Sequence, residues 1–476
     1  MKRQCTKSSV IPSEVEGSRG ITFRFRRGIP RLRFASLGMT SIALAGACSL
    51  SILHNARAVT LGNVQQMTLE KNPAIQQAKS NLERAAGQRL VLRSVMWPQV
   101  TLDIPGGLQG GTRAGESTKL FALAIGAFVQ PLFNAAIPAS VRRGDVDLLI
   151  AQQQLNVAIV EQLHAGRTAF YAALYNRGLE SLRENQRQRL EQNVVSQQDR
   201  YQAGLSDRGA FASASMQARE LNSQIEGARR AFAEAQLQLA EAMGNDTATN
   251  ATLPEPEGEL QFAPMTVDLV SETKSALERR ADLKLARLLV RAANEEQRII
   301  EAAYYPTVAG GLSGYYVPVT GIHREGSTSR TDDFISSEAR QGVIYTWRVI
   351  DNGKVIGAAR KQRATREINE LACRKLEANV TRELQRIHND LVAIQARQQS
   401  LASASAAADD SERVVEQNLA GGLASQLEYR LTQNGSLETR SGLLGSVYQY
   451  NLSLAEWDRV TGRYFQFSDD TAPKVH

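Results

Sequence analysis

Cysteine, long apolar runs and evenly spread positive charge are all scarce in this sequence, and each scarcity removes a class of protein. Of three cysteines in 476 residues, Cys5 and Cys48 precede the cleavage site argued below, so Cys373 stands alone in the mature chain. An internal disulfide is therefore excluded, and packing has to hold the fold. No apolar run of 18 residues follows the N-terminal region, which rules out a transmembrane helix and leaves strands as the means of crossing a membrane. His164, His323, His388 and His476 are scattered, no Cys stands at metal-ligand spacing from a His, and no phosphate-cradling glycine loop follows a strand. The sequence thus offers no catalytic, cofactor or metal constellation and does not read as an enzyme. The formal net charge of +7 is concentrated in residues 1–38, where nine Lys or Arg face two Glu, and the remainder is neutral. There is no distributed basic face for nucleic acid.

Behind the basic stretch, residues 42–53 are apolar and small, and Ala56-Arg57-Ala58 has the small-x-small form that signal peptidase cuts. A secretory signal with mature protein from Val59 is expected, with translation starting at Met1 or Met39. Cys48 invites a lipoprotein reading, against which Ala45 occupies the place three before it where Leu is usual.

Proline is missing from two long tracts, 139–253 and 354–462, both rich in Ala, Gln, Glu, Leu and Arg. In the first, Leu148, Leu155, Ile159, Leu163, Phe170 and Leu174 recur at steps of seven and four, an apolar stripe of coiled-coil type. The tract breaks at Ala203, Gly204, Leu205 and Ser206, where Gly204 can take a positive φ and Ser206 or Asp207 can cap the next helix. The second breaks at Gly421, Gly422 and Leu423, which match the first break at an offset of 218.

That match belongs to a longer duplication. Leu69-Glu70 corresponds to Leu277-Glu278, and Pro98-Gln99-Val100 to Pro306-Thr307-Val308, at an offset of 208. After each proline the period changes from helical to two: Val100, Leu102 and Ile104, then Phe121 to Val129; and Val308 to Val319, then Val343, Tyr345, Trp347 and Val349. Each pair of runs reads as a β-hairpin, the second with a polar loop from about His323 to Arg340. The domain reading is 1–58 basic extension and signal, 59–245 first repeat, 246–268 linker or small equatorial side element, 269–465 second repeat, and 466–476 tail. Four strands cannot close a barrel, so copies must combine. Trp97, Tyr304, Tyr305, Tyr315, Tyr316 and Trp347 suit an interfacial girdle, the alternative being the core of a soluble hairpin.

The Leu-Glu opening, Pro98 and Pro306 leading into hairpins, Leu132-Phe133-Asn134 with Ile350-Asp351-Asn352-Gly353, and the paired Gly-Leu tips together resemble the TolC-type outer membrane efflux proteins over about residues 60 to 465. The resemblance implies a mainly α fold with a β-barrel. Long antiparallel coiled-coil helices and two β-hairpins per chain would form, as a homotrimer, a 12-stranded barrel in outer membrane lipid and an α-helical tunnel in the periplasm. It implies an exit duct passing small molecules from an inner-membrane pump through a periplasmic adaptor. A type I protein secretion channel and a periplasmic coiled-coil scaffold that spans no membrane are the alternatives. Carried over by position, Gly204, Leu205, Ser206, Gly421, Gly422 and Leu423 would dock the adaptor. Glu428 would form an acidic ring at a constriction, with Leu431 where a second ring would stand. Asp207 and Arg208 would pair across neighbouring tips.

Overall fold

The structure, a computed structural model, describes residues 58–109, 119–205, 207–245, 253–316 and 337–464. The expected signal region, Cys48, Ser206, the end of the expected strand at residues 317–319, and most of the expected polar loop lie outside the described residues.

Helices come in two series of matching length. The first is α1 (Leu61–Lys71), α2 (Pro73–Ser94), α3 (Ala136–Gln202) and α4 (Arg208–Ala242). The second is α5 (Leu269–Arg279), α6 (Ala281–Glu301), α7 (Lys354–Ala420) and α8 (Gln426–Thr461). Helices α3 and α7 have 67 residues each, roughly 100 Å at 1.5 Å per residue. α3 starts three residues before the proline-free tract, because Pro138 falls in the first turn, where a missing N–H has no intrahelical carbonyl to lose. The two long helices are started alike: the Asn134 side chain accepts from the Ala136 N–H, and Asp351 accepts from the Gly353 and Val355 N–H groups.

The stripe on α3 serves two partners in succession. Leu155, Ile159 and Leu163 pack with Ile75, Ala78 and Leu82 of α2, while Phe170 and Leu174 pack with Val64, Leu239 and Met243 from α1, α4 and the turn after it. α7 and α8 repeat the arrangement with Val380, Leu384, Ile387 and Leu391 around a fully buried Trp457. A side chain of this kind gains about 2–3 kcal/mol on leaving water. Residues 253–268 are packed rather than free. β6 (Glu255–Pro256) pairs in parallel with β1 (Ala58–Val59), and Phe262, Met265 and Val267 lie against the second core.

Six further strands are described. β2 (Gln99–Asp103), β5 (Ala124–Phe133), β7 (Thr307–Tyr316) and β8 (Ser337–Thr346) make one antiparallel sheet in the order β2-β5-β7-β8. β3 (Gly106–Gln109) and β4 (Lys119–Ala122) pair beyond it, separated from β2 and β5 at Pro105, which cannot donate to a ladder. β8 differs from the expected run at both ends. It begins at Ser337, within the expected loop, because β7 offers partners up to Tyr316. It stops at Thr346, short of Trp347 and Val349, because its partner begins at Thr307, after Pro306.

Candidate functional site

Both tips close with the same backbone device. Gly204 (φ +72°) donates to the Tyr201 carbonyl and Leu205 to that of Arg200; Gly422 (φ +73°) donates to Leu419 and Leu423 to Asn418. This is the Schellman closure, in which a left-handed residue turns the chain while the last carbonyls stay bonded. Gly421 has φ −82° and needs no glycine for its conformation. The closure leaves Leu205 and Leu423 projecting, 78% and 84% exposed. On the far side of the second tip Ser425 caps α8 by accepting from the Glu428 N–H at 3.1 Å, which sets the Glu428 side chain, exposed, in the first turn. Asp207 and Arg208 are exposed at the start of α4, with the Asp207 carboxylate 3.6 Å from where a β-carbon on Gly209 would sit.

Behind the tips the helices are joined by polar contacts that sequence reasoning missed. Arg189 of α3 pairs with Glu412 of α7 at 2.7 Å, Arg430 of α8 donates to Asn193 of α3, and Asp409 of α7 accepts from Ser436 and Arg440 of α8. Glu412 is 8% exposed and one of its oxygens has no partner. The only sequence signal was the run of small residues ending in Asp409 and Asp410, which allows close approach but does not name the partners.

A second set of polar contacts joins helix ends at mid-length. The Asn72 amide donates to the Ala242 carbonyl and to Gln162, both at 2.9 Å, so α2 begins where α4 ends. Arg280 does the same in the second series, donating to the Val460 carbonyl and pairing with Asp282 and Glu383. Burial by itself would lower the Arg280 pKa, but the Asp282 and Glu383 carboxylates outweigh it and raise it; Asp282 is correspondingly held below its ordinary value. From Glu383 the contacts run through Arg459 to Glu161, Glu456 and His164, tying α8 to α3. Burial lowers the His164 pKa, with Glu456 offsetting part of the effect. Continuing the repeat past Leu69-Glu70 and Leu277-Glu278 sets Asn72 on Arg280, and that was the signal available for this knot.

The four-stranded sheet has two unlike faces. Directly paired residues share a face, so Val100, Leu102, Phe128, Leu312, Tyr316, Val343 and Tyr345 form one apolar face, each of them 40% exposed or more. The other face carries Gln99, Thr101, Asp103, Ser313, Glu338, Arg340 and Thr346, with Ile125, Val129, Tyr315, Ile344 and small residues between them. Trp97, Tyr304, Tyr305 and Trp347 are exposed where strands meet helices. Among the described residues no helix is long and apolar enough to cross a membrane, and no cluster of His, Cys, Asp and Glu could hold a metal ion.

Residues 64–245 match the sequence profile of the family described as outer membrane efflux protein. The fold is similar to the outer membrane protein VceC of Vibrio cholerae, with a TM-score of 0.71 at 17% identity, covering 84% of this chain and 96% of that one. It is also similar to the CmeC outer membrane channel of Campylobacter jejuni (TM-score 0.73, 14% identity, 84% and 85% covered). The MtrE outer membrane channel of Neisseria gonorrhoeae, in its open state, gives 0.68 at 15% identity, with 84% and 88% covered. No protein of curated function matches in sequence.

Proposed function

We propose that this chain is the exit duct of a tripartite efflux system in the outer membrane, a reading supported by the match of residues 64–245 to the outer membrane efflux protein family and by the fold's similarity to VceC and CmeC. In this reading it is a homotrimer that passively conducts small molecules delivered by an inner-membrane pump and a periplasmic adaptor. The observation that carries the reading is a sheet apolar on one face and open at both edges: among the described residues β2 and β8 are each paired on one side only. Lipid offers no hydrogen-bond partners, so unpaired edge N–H and C=O groups at membrane depth would cost several kcal/mol each. Pairing β8 of one copy with β2 of the next removes both edges of this sheet, and three copies give a barrel of twelve strands. The helices support the same closure. α2 packs on α3, α3 on α6 and α6 on α7, leaving α2 and α7 outermost with Leu90, Val91, Ile368 and Leu371 exposed.

The apolar face would then meet lipid, the polar face would line the lumen, and Trp97, Tyr304, Tyr305 and Trp347 would sit at the inner membrane-water boundary. At the other end of the long helices, Gly204, Leu205, Ser206, Gly421, Gly422 and Leu423 would meet the adaptor, with Leu205 and Leu423 as apolar anchors. Three Glu428 carboxylates would crowd the constriction and favour cations, while Asp207 and Arg208 would pair between neighbouring tips. The test is direct: purified mature protein in mild detergent should have the mass of three chains and should pass ions in a planar bilayer. A monomer that does not conduct would overturn the proposal.

A further inference from the structure

Register places Asp103, Ile125, Tyr315 and Glu338 in one row across the polar face of the sheet, at the end farther from the helices. Arg340 stands in the next row, opposite Ser313. Glu338 is neutralised within the chain, since the Tyr315 hydroxyl donates to it and Arg340 pairs with it. Asp103, on the opposite edge, has no side-chain hydrogen bond or ion pair to another described residue. β5 and β7, which lie between these edges, contain no charged residue to balance it. In the six strands of the hairpins the one other charged residue is Lys119, in the separate pair beyond Pro105.

Resting on the trimeric-barrel reading above, we propose that Asp103 is a charge-selecting residue of the barrel lumen, favouring cationic solutes over anionic ones at the outer end of the duct. Closing the sheet brings the Asp103 edge of one copy beside the Glu338 and Arg340 edge of the next, so two carboxylates share each guanidinium. Three unbalanced carboxylates on a wall whose central strands carry no charge act on any ion passing within a Debye length, about 10 Å at 0.1 M salt and about 3 Å at 1 M. Arg340 works in the opposite sense, by covering carboxylate charge.

The experiment is the reversal potential of the purified trimer in a planar bilayer under a potassium chloride gradient, at low and at high salt. Asp103→Asn should lower the potassium-to-chloride permeability ratio by about twofold or more near 0.05 M, an effect that should shrink toward 1 M as screening tightens. Asp103→Lys should move the preference toward chloride, and Arg340→Gln should move it toward potassium. An Asp103→Lys trimer that conducts with the reversal potential of the unsubstituted protein at low salt would overturn the assignment. If the unsubstituted protein forms no conducting trimer, the barrel reading fails instead.

Discussion

Three glycines with similar backbones differ in what surrounds them, and their substitutions separate conformational from steric cost. Gly204 and Gly422 hold φ near +72° in open space, so Ala at either should cost only the left-handed backbone penalty, about 1–2 kcal/mol, read as faster amide exchange at that tip. Gly421→Ala, at φ −82°, should leave exchange at its tip no faster. Gly244 combines φ +70° with a β-carbon site 2.6 Å from the Lys71 carbonyl carbon and oxygen, both backbone atoms that cannot yield. Gly244→Ala should therefore cost on the order of 3 kcal/mol or more and lower Tm in detergent well beyond either tip variant. Positive φ was legible from the Gly-Leu phrases at the tips; the close approach at Gly244 was not, because it depends on where α1 ends in space.

At the scale of elements, the apolar stripe of α3 could be read from spacing alone, yet its partners could not. Periodicity states which side of a helix is buried and is silent on whether one helix or several cover it. The stripe passes from α2 to α4 near Leu163, which is 1% exposed and lies beside the junction of those helices. Leu163→Ala should cost about 2–5 kcal/mol, the range for a cavity that neighbours cannot collapse to fill, and thermal melts of the purified protein would show it. In the same way, Leu205→Asp with Leu423→Asp should abolish capture of the proposed adaptor in a pull-down while leaving Tm unchanged, because both side chains already face solvent. Loss of trimer instead would show that these leucines support the fold rather than a partner.

For the molecule as a whole, the contacts that tie the two helical series together set its response to acid. His164 of α3 sits against Glu456 of α8 with its pKa below the ordinary 6.5, so the fold holds the neutral ring. The stabilisation is complete above pH 6.5 and is lost as pH falls through the unfolded pKa toward the lower folded one. Glu456 and Asp282, whose folded pKa values are depressed by Arg459 and Arg280, add a further loss only as pH falls from their ordinary values through the lower folded ones. Tm should accordingly fall between pH of about 7 and about 5, and fall less in His164→Gln; equal slopes would remove His164 from the account.

Chain order, the duplication, the long helices and their glycine turns follow from local rules, since propensity, period and φ are properties of neighbouring residues. What folding in three dimensions decided is which surfaces those elements share. It put α4 end to end with α2 through Asn72, and α8 with α6 through Arg280. It also gathered strands from both halves into one sheet with an apolar and a polar face. Those outcomes depend on residues more than 150 positions apart meeting at hydrogen-bond distance, a relation that no local pattern carries.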